Sequence, residues 1–394
     1  MKSTLRLTGA LAAIAALGLS LAACSGGDAG GGDGPIKIGA IITKTGTPYS
    51  FDAVGIEPMT RAVFDQVNAD GGIGGREIEY ITVDDANTPA GASQAARQLI
   101  DQDGVVMLVG GGTYVACTAN AEFYAEADIY AIEAVGQEDC GAADNITRTN
   151  PGPLVVNAAE MVFANQELGL DNVCALQLAG PSVAENQLAL DWYEQATGDE
   201  VVFSDLTIPA DTSDMTPYLL QAKDAGCEAI LMGGNIQDLP AIAGQMATQG
   251  MQDVALLPLG YDPAIAETLD SLGISAYVAM EFAPFDDTSE DMLEYLAFAE
   301  EHGLAVNSFT QGAYLAATYA VEVLQDIDGE ITRESVSRAL ESMDPVENTI
   351  AGSPFIVGTP ESRVPNTSVK IITNENGGWK VVSDGFFTLP ALER

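Results

Sequence analysis

Residues 105–124 read VVMLVGGGTYVACTANAEFY, and their reading decides the fold. The opening VVMLV has no polar alternation, the pattern of a strand buried on both faces of a parallel sheet. Gly110, Gly111 and Gly112 then end the strand, and the residues from Thr113 onward read as a helix. Glycines let a bound group approach the backbone, and the first turn of a helix offers unpaired N–H groups to a carboxylate or other anion. A second junction of this kind lies at residues 229–235, AILMGGN. Two such junctions in one chain predict two α/β lobes whose strand ends face a shared cleft, an architecture for binding.

The alternation continues outward from there. Residues 36–42 (IKIGAII) read as a first strand, 43–51 as a polar loop, and the residues up to Asn68 as a helix. The turn Gly71-Gly72-Ile73-Gly74-Gly75 leads into a strand over 78–83, closed by Asp84 and Asp85, with a helix over 88–102. A strand over 129–132 and a helix over 154–168 follow. In the second half, strands are expected at 173–178, 229–232, 254–259 and 276–280, with helices at 185–197 and 219–225. Short apolar strands alternating with amphipathic helices predict mostly parallel sheets covered by helices on both faces.

A chain of 394 residues suffices for two domains, each with its own core. The hydrophobic content of 47% and a mean hydropathy of +0.14 argue against disorder. The formal charge of −42 excludes nucleic acid as a partner, because phosphate neutralisation needs clustered Lys and Arg. Such acidity reads first as solvated skin; the sharper reading is adaptation to high salt, where screening relieves self-repulsion.

The first residues carry Lys2 and Arg6 and then LTGALAAIAALGLSLAA, an apolar stretch too short to span a membrane and flanked like a secretory signal. Leu21-Ala22-Ala23-Cys24 resembles a bacterial lipobox, which implies cleavage before Cys24 and a lipid on its thiol. Residues 1–23 are thus expected to be a signal peptide, and 24–35, with SGGDAGGGDG, a lipidated cysteine and flexible tether. No later segment reads as a membrane span.

Catalytic signatures are sparse. The one histidine, His302, sits in EEHGLA at a helix end, where it reads as a dipole partner, so a Ser/His/Asp triad or histidine metal cluster has no basis. Neither a GxSxG elbow nor a GK[ST] phosphate loop occurs, and Val115 stands where a dinucleotide fingerprint needs its last glycine. Asp326-Ile327-Asp328-Gly329 lacks the third ligand of a calcium loop and reads as a helix-ending turn. No cofactor and no catalytic residue is expected.

The segment Asn68-Ala69-Asp70-Gly71-Gly72-Ile73-Gly74-Gly75-Arg76-Glu77-Ile78, with Asp84-Asp85 and Gly110-Gly111, resembles the branched-chain amino-acid-binding proteins of ABC importers, the type I periplasmic binding proteins. The resemblance covers residues 36–394 in element order. It implies two Rossmann-like lobes with mostly parallel sheets, joined by three crossovers near Asn150, near 281–284 and near Ile350. The N-terminal lobe would comprise 36–150 plus 283–349, and the C-terminal lobe 151–282 plus 350–394. A helix over 309–326 would return to the first lobe, and residues 355–382 would close the second with antiparallel strands.

The same resemblance implies a ligand site. Tyr49 or Phe51 would supply an aromatic wall; Thr113 and Tyr114 would bind an α-carboxylate through backbone N–H and a hydroxyl; Ala134 and Gly136 lie in the loop whose backbone holds the amino and carboxyl groups. Thr113 also reads as a plain helix N-cap. Gly136 stands where relatives offer a hydroxyl, and Ser182 and Asn235 stand where they place aromatic residues. Gly260 lies near the position of an acid that pairs the ligand ammonium, a role left to Asp262 or Glu281, with Tyr261 lending a ring. Phe309 matches a pocket-lining position and equally reads as core. Fewer rings and more polar groups imply a ligand more polar than leucine, or larger.

Five cysteines in an exported chain should be oxidised apart from a lipidated Cys24, and the remaining four allow three connectivities. Cys117 with Cys140 and Cys174 with Cys227 is the preferred pairing, since each pair lies on neighbouring elements; the alternative leaves one pair free and buried. Many relatives staple the region of Asn87, which has no cysteine here. The function implied is an extracytoplasmic lipoprotein, anchored at the outer face of the cytoplasmic membrane, that captures a small amino acid or related solute for an ABC permease. The alternative is a sensor reporting occupancy to a separate signalling partner.

Overall fold

The structure, a computed structural model, describes residues 34–46, 54–113, 115–136, 140, 143–179, 183–234, 236–258, 260, 263–357 and 366–392. Its first sheet has the order β2-β1-β3-β4-β5, all parallel, from β1 (Ile36–Ile42), β2 (Ile78–Asp84), β3 (Met107–Gly112), β4 (Ala131–Val135) and β5 (Ile146–Arg148). β1 shows why the sheet is covered on both faces. Its Ile36, Ile38, Ala40 and Ile42 join one buried cluster, and Ile41 joins another on the opposite side. The helices between strands are α1 (Ile56–Ala69), α2 (Pro89–Arg97) and α3 (Ala116–Glu126). The helix expected over 88–102 starts at a Thr88 cap, whose hydroxyl accepts from the Gly91 N–H at 3.0 Å, and changes at Gln98–Asp103 to a π-helical turn.

The second half holds α4 (Gly152–Gln166), β6 (Val173–Leu178), α5 (Val183–Thr197), β7 (Phe203–Ile208), α6 (Thr216–Ala225), β8 (Ala229–Met232), α7 (Leu239–Thr248), β9 (Ala255–Pro258), α8 (Ala266–Leu272) and β10 (Tyr277–Met280). Its parallel sheet runs β7-β6-β8-β9. Strands β5 and β7 were not expected: both are edge strands, and the polar, half-exposed pattern of β7 gives little hydrophobic signal. After α9 (Glu290–His302), α10 (Ser308–Gln325) and α11 (Arg333–Ser342), the chain forms β11 (Ser368–Glu375), β12 (Gly378–Val381) and β13 (Phe387–Thr388). These pair antiparallel with β10 and one another, and a bridge from Leu256 to Ala276 abuts them on β9.

α10 returns to the first sheet as the resemblance implies. Asn307 and Thr310 form a reciprocal cap at its start, and its core residues join the cluster built on β1, β3 and β4. Gly312 makes the approach possible, because a Cβ there would lie 2.3 Å from the Ala134 carbonyl oxygen of β4. Disulfides join Cys117 to Cys140 and Cys174 to Cys227, stapling α3 to the segment after β4 and β6 to the start of β8.

The organising stretch departs from its reading in one respect. Gly110, Gly111 and Gly112 belong to the strand, and α3 begins only at Ala116, with Val115 as a cap that has no side-chain bond. Thr113 is therefore not the helix cap. The strand bulges at the glycines: Gly110 has φ +71°, and the pairing of β3 slips against both β1 and β4 there. A Cβ on Gly110 would lie 2.3 Å from the Thr60 hydroxyl of α1, so glycine answers both the backbone angle and the packing.

Candidate binding cleft

The paired aspartates that close β2 organise the first lobe's strand ends. Asp84 accepts from the backbone N–H groups of Lys44 (2.9 Å), Thr45 (3.3 Å) and Ala86 (2.9 Å) and from the Thr45 hydroxyl (2.6 Å). Desolvation opposes its ionisation, but these donors outweigh it and hold the carboxyl down at about 2. Asp85 is fully buried and accepts from the Thr43 hydroxyl (2.8 Å), the Asn87 N–H (2.9 Å) and the Thr113 hydroxyl. The Thr113 hydroxyl in turn accepts from the Val115 N–H at 3.2 Å. The loop after β1 is also tied to α1, where Glu57 takes both Lys44 and Arg61, the latter at 2.6 Å.

Beneath this network lies Glu133, the one acid in the apolar strand AIEAV. It pairs laterally with Gly111, and its Oε2 occupies the space a Gly111 Cβ would need, 1.7 Å from that position. Glu133 is 4% exposed and Oε2 has no partner among the described residues. Burial first, and then the Asp85 charge, push its carboxyl up to about 8.

The second lobe repeats the device. The Gly233 N–H donates to the Leu176 carbonyl at 3.0 Å, continuing the ladder that pairs Leu176 with Met232. Gln177, the next residue on β6, lies over Gly233, with Oε1 1.5 Å from where a Cβ would stand. Behind it, Asn157 of α4 donates to Asn186 Oδ1 (3.1 Å), and Asn186 of α5 donates to Gln177 Oε1 (3.4 Å). Glu185 accepts the Leu154 N–H at 3.2 Å beside them.

The three segments between the lobes are stitched together. The Asn150 side chain accepts from the Gly136 N–H (3.0 Å) and donates to Glu281 Oε1 (2.8 Å), which also accepts from the Gly152 N–H (3.2 Å). Buried Arg148 donates to the carbonyls of Asn150 (3.2 Å) and Pro151 (3.0 Å). Gln311 of α10 donates to the Ala283 carbonyl (2.8 Å), and the Ala283 N–H donates to the Ile350 carbonyl (2.8 Å). Beyond it, Phe355 stacks on Tyr319 at 4.2 Å, while the hydroxyls of Ser353 and Ser368 meet at 3.0 Å. Desolvation raises the Glu281 carboxyl, against the bonds from Asn150 and Gly152 and the Arg148 charge.

Of the expected site residues, Tyr49, Phe51, Tyr114, Ser182, Asn235, Tyr261 and Asp262 lie outside the described residues, as does Cys24. Thr113 sits at the end of β3 with its hydroxyl proton directed inward to Asp85. The Ala134 carbonyl accepts from the Thr149 hydroxyl at 3.0 Å, so Ala134 and Gly136 both contact the first crossover. Phe309 is partly buried and packs on the first lobe's core. Glu281 faces Asn150 and Gly152. The sequence reading missed Glu133, Gln177 and Arg148, and named Asn150 only as the place of a crossover. A signal existed for the first, since a lone acid inside an apolar strand demands a reason.

Among the described residues no cluster of His, Cys, Asp or Glu is arranged to hold a metal, and no helix is long and apolar enough to cross a membrane. His302 Nδ1 donates to the Phe298 carbonyl (2.9 Å), and its ring stacks on that of Phe298 at the end of α9.

A family model described as periplasmic binding protein matches residues 35–377. An amino acid binding protein of Pseudomonas aeruginosa is 35% identical over 97 residues, a match that covers 25% of this chain and 26% of that protein's length. An ABC transporter substrate-binding protein from Sphaerobacter thermophilus has a similar fold, with a TM-score of 0.73 and 21% identity over 90% of this chain and 98% of that one. A solute-binding protein of an ABC transporter from Rhodopseudomonas palustris BisB5, solved with 3,4-dihydroxybenzoic acid, gives a TM-score of 0.70 and 21% identity, covering 91% and 98%. At these identities the likeness of the solved structures is one of fold.

Proposed function

Because the chain belongs to the periplasmic binding protein family, we propose that it captures a small amino acid or related polar solute between its lobes and delivers it to an ABC permease. The observation that carries this reading is the hinge. Two parallel sheets are linked by crossovers whose contacts run through Asn150, Glu281, Ala283 and Ile350, and Asn150 also holds Gly136 in the expected ligand loop. A bond from that loop to the hinge couples ligand contact to lobe closure. On this reading the chain divides into 36–150 plus 283–349 and 151–282 plus 350–394, although Ile350, Ala351, Phe355 and Val357 pack in the first lobe's core.

In the ligand site, Tyr49 or Phe51, Tyr114, Ala134, Gly136, Ser182, Asn235, Tyr261, Asp262 and Phe309 face the solute. Thr113 contributes its backbone N–H, because a hydroxyl has a single proton and Asp85 accepts it. No step of bond making or breaking belongs to the function. Cleavage before Cys24 leaves a lipid anchor and a tether, and places the lobes at the outer face of the membrane.

The test is a thermal-shift panel of amino acids, amides, small organic acids and short peptides. A true ligand at a hundredfold excess over its Kd adds roughly 2.7 kcal/mol of stability. A panel without a single shifted midpoint would refute solute capture. For the anchor, Cys24→Ala should move the protein from the membrane fraction to the medium.

A further inference from the structure

The amide chain of the second lobe is open at both ends, at Asn157 Oδ1 and at Gln177 Nε2. Asn157 donates a hydrogen bond to Asn186, and Asn186 donates one to Gln177. Gln177 Nε2 is then left as a donor with no partner among the described residues, although its side chain is 4% exposed. A buried N–H without an acceptor costs about 1–3 kcal/mol, and an apolar residue would fill the same space without that cost. The location gives the donor a purpose. Gln177 and Gly233 stand side by side at the carboxyl ends of β6 and β8, where open α/β sheets bind ligands, and the missing Cβ of Gly233 lets the amide lie over the turn. The first lobe carries a related arrangement: Glu133 lies over Gly111 at the end of β3, and there the unpartnered atom is an oxygen, Oε2, rather than a nitrogen. Recurrence of one arrangement in both lobes argues for a built feature.

Resting on the solute-binding reading, we infer that Gln177 is the second lobe's recognition group, donating from Nε2 to a carbonyl or carboxylate oxygen on the part of the solute that faces Gly233. Asn186 and Asn157 orient it: with Oε1 engaged by Asn186, Nε2 is the end of the amide left free to donate. The ligand class is therefore a solute with an acceptor at the end remote from the first lobe, such as a side-chain amide or a second carboxylate. A site built to pair such an acceptor discriminates against an isostere lacking it, because the buried donor is then left unpaired.

Calorimetry with matched probes tests this: L-glutamine against L-norleucine, and terephthalate against 4-methylbenzoate, on the full mature protein and on Gln177→Met and Gln177→Glu. The expected result is that the acceptor-bearing member of a pair binds roughly tenfold or more tightly than its partner. Gln177→Met, which keeps the volume, should remove that preference and leave the apolar probe unchanged, and Gln177→Glu should weaken the carboxylate probe further. Near-UV circular dichroism checks that both variants fold, and Gly233→Ala, which displaces the amide, should reproduce the Gln177→Met profile. If only apolar members bind, or the preference survives in Gln177→Met, the inference falls while solute binding stands. Binding of none of the four overturns the inference, since neither acceptor-bearing probe is taken, while the solute-binding reading stands or falls by the wider thermal-shift panel.

Discussion

At the scale of single residues, Glu133 has the most direct consequence. Its folded pKa, about 8, lies above the ordinary carboxylate value of 4.5. Below pH 4.5 the carboxyl is protonated in both folded and unfolded chains, and its contribution to stability is fully present. Between 4.5 and about 8 only the unfolded chain ionises, so stability falls as pH rises through that window. Glu133→Gln removes the titration while keeping the shape. The variant's midpoint, followed by circular dichroism from pH 5 to 8.5, should decline less than that of the parent; parallel profiles would place the proton elsewhere. Asp84 works in the opposite sense, since its depressed carboxyl gives stability that is lost only as pH falls toward 2. Thr113 illustrates how one proton decides a role: its residue type fits a ligand hydroxyl, and Asp85 takes the hydrogen.

At the scale of elements, α10 and β4 meet where neither could carry a larger residue. Gly312→Ala would drive a Cβ against the Ala134 carbonyl oxygen, with the Thr149 hydroxyl 3.0 Å from the same position. Backbone cannot swing aside as a side chain does, so α10 must move off the sheet. A loss of roughly 1–3 kcal/mol or more is expected in urea unfolding. Because β4 leads into Gly136 and its bond to Asn150, the same substitution should also weaken solute binding. The disulfides give a second prediction at this scale. Cys174–Cys227 closes 53 residues and Cys117–Cys140 closes 23. Replacing both cysteines of a pair by serine should lower stability by roughly 4 and 3 kcal/mol respectively in the chain-entropy account. The larger loss in the longer loop is the outcome to look for; the reverse order would show that local packing outweighs chain entropy.

At the scale of the whole molecule, charge is the dominant property. With 57 acids against 15 Lys and Arg, self-repulsion opposes the compact state at low ionic strength. Lys44 and Arg61 share a single acid, Glu57. Screening at molar KCl shortens the Debye length to about 3 Å, so the unfolding midpoint should rise by several degrees from dilute buffer to molar salt. Equal midpoints would remove the reading of the surface as a salt adaptation. Asn150 and Ala283, buried in the crossovers, lie beyond the reach of this screening.

The sequence by itself determined the alternation of strands and helices, the two parallel sheets and the cysteines available for pairing. These follow from periodicity, apolar runs and glycine punctuation, all of which act between near neighbours in the chain. Residue type alone did not reveal that the glycines of residues 110–112 form a bulge inside β3, since Thr60 and Glu133 occupy the space they leave open. Nor did it show that Thr113 serves Asp85, 28 residues away, or that Asn150 joins Glu281 across 131 residues. A buried polar group is satisfied by whatever the fold brings beside it, and that neighbour has no fixed offset in sequence. Only the tertiary structure chose those partners.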